Sequence, residues 1–474
     1  MRFTKIVTTI GPATCSVENL EKIAKMGISV CRLNFSHGDY AVHGQTIDNV
    51  KTVNKRGYSM AVMLDTKGPE VRTGDVEKPI IVKKGDLVAF TSKPTGKETM
   101  TTVKVDYPSF AEDVRNARCI LIDNGSIEFT VVKIEKNGVV IGKSKEDGKI
   151  GSRRHVNLPG AHISLPSFTD KDWADIAFGV KKGVDFIATS FVRTGKDIRM
   201  LKAYLEKHKS DAEIIAKIET PEAVDNIDEI VASADGIMVA RGDLGAEVPF
   251  EDVPMIQDEL VEKCRAVGKP VIVATHMLES MIMSPMPTRA EVTDIAYAAR
   301  SQADSTMLSG ETTTGLYPFK AIDAMIRVLT KNEKNVPAIS NVLALHSGPK
   351  KIDQDMPRSE QAIAASILAT KLEADAIVVI SKSGKTARAV SNCRALVPIH
   401  AFCGTESVQR KMMLVWGVIP HAVTFHSDPE KTVKESVASL LKSKQLKKGQ
   451  RIVLVSDMRS SGIPVMTIQI RTLE

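Results

Sequence analysis

A lysine and two carboxylates are spaced for joint chemistry in the stretch Ile214–Glu247. Ile214–Glu219 is a short apolar run that ends in opposite charges, and Gly236–Arg241 is a second run that ends in Gly242-Asp243. Residues two apart in a strand share a face, so Lys217 and Glu219 point the same way. If the two runs are neighbouring parallel strands, Asp243 arrives beside Glu219. Two carboxylates suit Mg²⁺, which takes one or two protein carboxylates and leaves sites for substrate oxygens. A plain salt bridge from Lys217 to either carboxylate is the competing reading. Gly242-Asp243 also offers backbone N–H groups to an anion, and Arg32 has a fork that fits phosphate. Asn34, Ser36, Asp65 and Thr66 form a second oxygen-rich group with one carboxylate, better suited to a monovalent cation, although turn capping is the commoner role of Asn and Ser.

Those residues need elements to hold them. Strand signals at Lys5–Gly11, Ser29–Ser36 and Ser59–Thr66 alternate with helical patterns, including a helix capped by Ser16 and a second over His43–Lys55. The alternation resumes at Thr169, with strands at Phe186–Val192, Glu213–Glu219, Gly236–Arg241, Pro270–Thr275 and Asp304–Gly310. Between Ile214 and Arg241 the pattern predicts one helix, capped by Thr220 and begun by Pro221, with Val224, Ile227, Ile230 and Val231 on its apolar face. Eight strand–helix units over roughly 250 residues predict a closed (β/α)8 barrel, whose active site lies at the carboxyl ends of the strands. Polar residues fall at seven of those ends: Arg32, Asn34, Ser36 and His37; Asp65 and Thr66; Ser190; Lys217 and Glu219; Arg241, Gly242 and Asp243; Thr275; Ser309 and Glu311. A single charged strand end is an ordinary exit to solvent. A ring of them is hard to explain by packing.

From Val71 to about Ser167 the runs are short and alternating, with Gly, Asp and Asn at the turns, which predicts an inserted all-β lid. His346–Pro357 is polar and rich in Pro and Gly and reads as a linker. Beyond it the pattern predicts a small α/β domain. The expected partition is 1–69 with 168–345 for the barrel, 70–167 for the lid and 346–474 for the C-terminal domain. The class is α/β throughout, apart from the lid.

Composition excludes several functions. Net charge is +7 over 474 residues and only 4% are aromatic, which argues against nucleic acid. The six cysteines are scattered without a CxxC pair, as expected of reduced core thiols. No apolar run reaches membrane length, and the start, MRFTKIVTTIGP, is not a signal peptide. These features predict a cytoplasmic enzyme without a membrane partner.

The motifs TKIVTTIGP at Thr4–Pro12, RLNFSH at Arg32–His37, DTKGPEVRTG at Asp65–Gly74, KIE at Lys217–Glu219, MVARGDLG at Met238–Gly245, ATHMLESM at Ala274–Met281, PTRAE at Pro287–Glu291 and LSGET at Leu308–Thr312 resemble the pyruvate kinase family in order and spacing. The resemblance covers barrel and lid and thins in the last ~120 residues. It implies Mg²⁺-dependent (or Mn²⁺-dependent) and K⁺-dependent phosphoryl transfer from phosphoenolpyruvate to ADP, giving pyruvate and ATP, the final step of glycolysis. By motif, Glu219 and Asp243 bind Mg²⁺, and Asn34, Ser36, Asp65 and Thr66 bind K⁺. Arg32 and Lys217 contact the phosphoryl group, while the Ala240–Arg241–Gly242–Asp243 backbone and Thr275 hold the pyruvate carboxylate. Thr275 lies near the enolate for its protonation. His37, Arg72 and the lid, with Arg154 on it, meet the nucleotide. Ser309, Glu311 and Glu70 support these groups, and Glu70 matches the K⁺-dependent members. A homotetramer is also implied.

Departures from the family pattern are His276 in place of the usual Gln, Met286 before Pro287, Asn124 after Asp123, and Arg153-Arg154-His155 on the lid. The loop Ser381-Lys382-Ser383-Gly384-Lys385-Thr386 between a strand and a helix resembles the family's effector-phosphate loop, which implies a sugar-phosphate effector. It is not a P-loop, because the first Gly would fall at Val379. The chain ends at Glu474 with no phosphohistidine-type domain expected. Two alternatives stay open on sequence: another Mg²⁺-dependent phosphoenolpyruvate or pyruvate barrel enzyme, and a catalytically silent sugar-phosphate-binding regulator.

Overall fold

The computed structural model describes residues 2–28, 30–94, 100–117, 119–123, 125–161, 163–333, 356–460 and 463–474. Asn124, residues 346–355 of the expected linker, and Ser461-Gly462 lie outside them.

Eight short, almost wholly buried runs form a closed parallel barrel: Lys5–Thr9, Val30–Asn34, Ala61–Asp65, Phe186–Thr189, Glu213–Ile218, Gly236–Ala240, Val271–Ala274 and Ser305–Leu308. Each lies within an expected strand. Strands of a parallel barrel are covered on both sides, which is why they read as continuous apolar runs. The inward positions carry Val7, Val30, Ala61, Met63, Phe186, Ala188, Ile215, Met238, Ile272, Ala274 and Met307, a packed core rather than a pore. Leu414, from far down the chain, completes that cluster, and its carbonyl accepts a hydrogen bond from Ser305 Oγ at 3.3 Å.

The helices start where their caps predict. Ser16 accepts from the Asn19 N–H before Val17–Lys25. Thr169 and Asp172 form a capping box on Asp170–Lys182, which Gly183 ends in the left-handed region at φ 67°. The second helix begins at Tyr40 rather than His43, because Asp39 caps it. Two departures lie in the central stretch. The expected single helix is split into Pro221–Asp225 and Ile227–Ser233, since Asn226 leaves helical geometry and its side chain donates to the Arg193 carbonyl at 3.1 Å. A further short helix, Arg241–Glu247, follows the sixth strand directly, anchored by buried Leu244.

Between the third and fourth barrel strands the chain builds a six-stranded sheet and a two-stranded one around a core of its own, with Phe90, Phe110 and Phe129 at its centre. Two very short strands here, Gly148–Ile150 and Val156–Asn157, were not expected from the pattern. The C-terminal part is a five-stranded sheet with Ala376–Ile380 central. Ile399–Cys403 and Val418–Ala422 lie on one side, with Arg451–Ser460 and the antiparallel Ile463–Thr472 on the other.

The C-terminal sheet and the barrel floor are joined by buried charge. Arg394 Nη2 donates to Asp304 Oδ2 at 2.9 Å, both residues being at most 3% exposed. The Asp304 carboxylate also accepts the Val271 and Trp416 N–H groups at 3.1 and 3.3 Å. Removing one member of such a pair leaves an uncompensated buried charge. Asp304→Ala is therefore expected to cost about 3–5 kcal/mol, read as a lower urea midpoint with Arg394-side and barrel-side probes both affected.

Candidate active site

The inward parity of the barrel strands continues past the apolar core to its carboxyl end. Val7 leads to Thr9, Val30 to Arg32 and Asn34, Met63 to Asp65, Ala188 to Ser190, and Ile215 to Lys217 and Glu219, each two residues on. The polar residues thus cap the core as one connected group. Lys217 Nζ lies 3.1 Å from Asp65 Oδ1 and 2.8 Å from Glu219 Oε1, and donates to Ser190 Oγ at 2.6 Å. Arg32 Nε donates to Asp65 Oδ2 at 2.6 Å, and its Nη1 to Thr9 Oγ1 at 2.9 Å. Ser190 Oγ in turn donates to the Thr66 carbonyl at 2.7 Å. Thr9 and Ser190 are the members without an assigned role on sequence. Ser190 is among the polar strand ends expected at the mouth; strand pairing sets Thr9 opposite Arg32, and parity would have placed Thr9 there as well.

Burial decides the electrostatics. Asp65 and Glu219 are fully buried. Burial pushes the Asp65 carboxyl up, but Arg32 and Lys217 outweigh it and hold it below its ordinary value. Burial alone would depress Lys217, yet Asp65 and Glu219 reverse this and hold the ammonium above its ordinary value. At Glu219 burial prevails over Lys217, with Asp243 adding to it, and the carboxyl is pushed up. Glu219 Oε2 accepts the Phe191 N–H at 2.7 Å. Oε1 faces the ammonium outside hydrogen-bond geometry and receives no hydrogen bond among the described residues.

The donor set fits a hard divalent cation. Two cationic side chains, Arg32 and Lys217, meet three carboxylates, Asp65, Glu219 and Asp243, so this group carries one net formal negative charge. A divalent cation on Glu219 and Asp243 turns it positive, as an anionic substrate requires. Asn34 and Asp65 are register partners on adjacent strands. Asn34 Oδ1 accepts the Ser36 N–H at 3.1 Å, and Thr66 Oγ1 accepts that of Ser190 at 3.1 Å. The second oxygen-rich group is therefore brought together, with Asp65 already committed to the two cations.

On the far side of the mouth, Gly242 N–H donates to Thr275 Oγ1 at 2.7 Å, and that hydroxyl donates to the Ala274 carbonyl at 2.6 Å. Thr275 and His276 both adopt left-handed backbone, φ 68° and 54°, uncommon for such residues and a mark of strain held by the surroundings. A Cβ on Gly242 would meet only ordinary contacts with Thr275 and His276. The glycine is not required by packing, and its N–H is held by the Thr275 hydroxyl. The Arg241 side chain turns away from the mouth, forked onto Asp294 at 2.6 and 2.7 Å and onto the Thr275 carbonyl at 2.7 Å. Glu311 accepts the N–H groups of Leu278 and Ser309 at 3.0 and 2.6 Å, and burial pushes its carboxyl up. Arg241 and Glu311 thus fix the loop that carries Thr275. Ser309 Oγ is buried without a partner among the described residues.

The residues expected to meet a nucleotide are more open. His37 is exposed, and its carbonyl lies 2.8 Å from His43 Nε2. Arg72 pairs with Glu70 at 2.6 Å and donates to the Arg153 carbonyl at 2.8 Å, while Arg154 lies 3.3 Å from Asp123. After the central strand of the C-terminal sheet, Lys382, Ser383 and Lys385 are exposed around Gly384, φ 76°, at the head of a helix. The hydroxyls of Ser381 and Thr386 both donate to Asp457 Oδ2, at 3.0 and 2.6 Å. The loop expected to hold a phosphate therefore holds an acid of the chain itself.

A lidded (β/α)8 barrel with a buried lysine among carboxylates at its mouth defines a class: barrel enzymes that work on anionic substrates with the help of cations. The family described as "Pyruvate kinase, barrel domain" matches residues 1–322, and "Pyruvate kinase, alpha/beta domain" matches 360–467. Isozyme G of Nicotiana tabacum chloroplasts, a pyruvate kinase, is 42% identical over 96% of this chain and 80% of its own. Pyruvate kinase of Geobacillus stearothermophilus is 41% identical over 98% and 78%. The crystal structure of a pyruvate kinase from Cryptosporidium parvum superimposes with a TM-score of 0.92 at 36% identity, covering 99% of this chain and 96% of that one. The chain belongs to the pyruvate kinase family. Its reaction is phosphoryl transfer between phosphoenolpyruvate and ADP, with pyruvate and ATP as products. No helix among the described residues is long and apolar enough to cross a membrane.

One buried acid at the rim makes a pH prediction. Glu247 accepts from Asn157 Nδ2 at 2.6 Å, and burial, opposed by that bond and aided by Asp243, pushes its carboxyl up to about 7. A raised carboxyl stabilises the fold below its unfolded value, and that stability is lost as pH rises through the folded value. Glu247→Gln has no such loss. It is expected to be more stable than the parent by up to about 3 kcal/mol at about pH 8, the gain vanishing near pH 4–5, in urea titrations across that range.

Proposed function

We propose that Lys217 and Arg32 are the catalytic cations, working at a mouth where Glu219 and Asp243 hold Mg²⁺ (or Mn²⁺) and Asn34, Ser36, Asp65 and Thr66 hold K⁺. The observation that carries this reading is the ammonium of Lys217, buried and held from three sides by Asp65, Glu219 and Ser190. A cation fixed in this way needs no reorganisation when charge develops on the transferring group, and such preorganised charge is the main source of rate in phosphoryl transfer. Bound Mg²⁺ supplies charge neutralisation at the phosphoryl and enolate oxygens. Arg32, set by Thr9 and Asp65, presents its remaining guanidinium edge to the phosphoryl group. The Gly242 and Asp243 N–H groups receive the substrate carboxylate, the first exchanging its bond to Thr275 for one to the ligand. Thr275 lies near the enolate for its protonation to pyruvate, its hydroxyl relaying a proton from solvent and so ending with its own proton restored. His37, Arg72 and Arg154 meet the ADP phosphates as the lid closes, and Glu70 keeps Arg72 in place.

In this reading the catalytic barrel comprises 1–69 and 168–345, the lid 70–167 and a regulatory domain 346–474, acting in the cytoplasm as a homotetramer. A sugar-phosphate effector at Ser381–Thr386 has to displace the Asp457 carboxylate from the two hydroxyls.

A coupled assay with phosphoenolpyruvate, ADP, Mg²⁺ and K⁺ tests the whole. Lys217→Met is expected to fold, to keep its KM for phosphoenolpyruvate within a few-fold and to lose roughly 10³-fold in kcat. A kcat near that of the parent refutes the role of Lys217. Replacing K⁺ by a large organic cation is expected to abolish most activity, and full activity without a monovalent ion overturns the K⁺ assignment.

A further inference from the structure

The lid returns to the barrel through His155 and the strand Val156–Asn157, which faces the short helix Arg241–Glu247. Residues two apart in a strand share a face, and so do residues four apart in a helix. The two spacings coincide here. His155 Nδ1 lies 4.0 Å from Asp243 Oδ1, and Asn157 Nδ2 donates to Glu247 Oε1 at 2.6 Å. The second rung is buried on its Asn157 side. Asn157 is 1% exposed, and its Oδ1 is buried with no hydrogen-bond partner among the described residues. A buried carbonyl left unbonded is unfavourable, so packing alone would favour an apolar side chain at this position. What the amide adds is one short bond to a carboxylate across the boundary between two separately packed cores, that of the lid and that of the barrel.

We propose that Asn157 is a positioning residue for phosphoryl transfer: its bond to Glu247 sets the lid against the helix that carries Asp243. The proposal rests on the function given above. The nucleotide is met from both sides, by Arg72 and Arg154 on the lid and by the cation held on the barrel. The groups proposed to hold phosphoenolpyruvate, Lys217, Arg32, Thr275 and the Gly242 and Asp243 N–H groups, all belong to the barrel, the last two at the opposite end of the short helix from Glu247, so they do not depend on where the lid stands. Loosening the bond therefore weakens ADP and spares phosphoenolpyruvate. A bond that only stabilises the fold does not distinguish the two substrates.

Full-length parent, Asn157→Ala, Asn157→Asp and Glu247→Gln are compared by steady-state kinetics, melting temperature and hydrogen exchange over 155–158 and 241–247. Asn157→Ala is expected to raise the KM for ADP on the order of tenfold, with that for phosphoenolpyruvate within about twofold. Asn157→Asp replaces the amide donor by a second acid and is expected to act more strongly at a pH where both acids are ionised. Glu247→Gln keeps an acceptor for the amide and is expected to behave as the parent in both KM values. Exchange is expected to quicken in both segments in the two Asn157 variants and not in Glu247→Gln. Unchanged exchange and unchanged KM for ADP in both Asn157 variants overturn the proposal. So does a lower melting temperature with both KM values unaltered, and so does an equal rise for both substrates. Exchange does not depend on turnover. If the parent makes no pyruvate, the functional reading fails by itself, and the exchange pattern alone still decides whether this bond sets the lid.

Discussion

Everything at the mouth of this barrel depends on one buried ammonium. Lys217 is surrounded by Asp65, Glu219 and the Ser190 hydroxyl, on three adjacent strands. Burying a lone cation or a lone carboxylate is strongly unfavourable, and burying them together is tolerated only with good geometry and further hydrogen bonds. The neighbours are accordingly committed. Arg32 takes the other oxygen of Asp65, Thr9 orients Arg32, and the Phe191 N–H takes the other oxygen of Glu219. Each strand must therefore end at the right height. Parallel strands in register are what deliver that condition.

The rest of the mouth is support for loops rather than for charges. Arg241 and Glu311 act as internal braces, one through its guanidinium and the other through its carboxylate, on the segment that begins with the two left-handed residues Thr275 and His276. Such backbone persists only where its surroundings fix it. The strain and its braces come from three different strand ends, so the segment is held by the closed barrel as a whole.

Much of this was legible in the chain because a barrel writes its core in short buried runs and its site in the residues that follow with the same parity. The eight strands and the Lys217–Glu219 face came directly from that rule. Ser190 was visible as a strand end, but its place beside Lys217 needed the neighbour relation between strands four and five. The break at Asn226 and the helix at Arg241 were hidden, because both are set by long-range partners, the Arg193 carbonyl and the pocket around Leu244. Val418–Ala422 contains Pro and His, and Ile463–Thr472 alternates as an antiparallel edge strand does, so neither resembles the buried runs. The commitment of Ser381 and Thr386 to Asp457 joins residues more than seventy positions apart, which no local pattern reveals.

Leu414 closes the floor of the barrel, and this orders events in time. During synthesis all eight barrel strands leave the ribosome while the residue that seals their core is still about a hundred residues away. At roughly 5–20 residues per second the interval is on the order of ten seconds. For that period the nascent barrel lacks Leu414 from its core cluster, beside Ser305 at the floor. The turn before Val418–Ala422 thus contributes to the barrel's own interior, and a barrel without residue 414 lacks one member of its core.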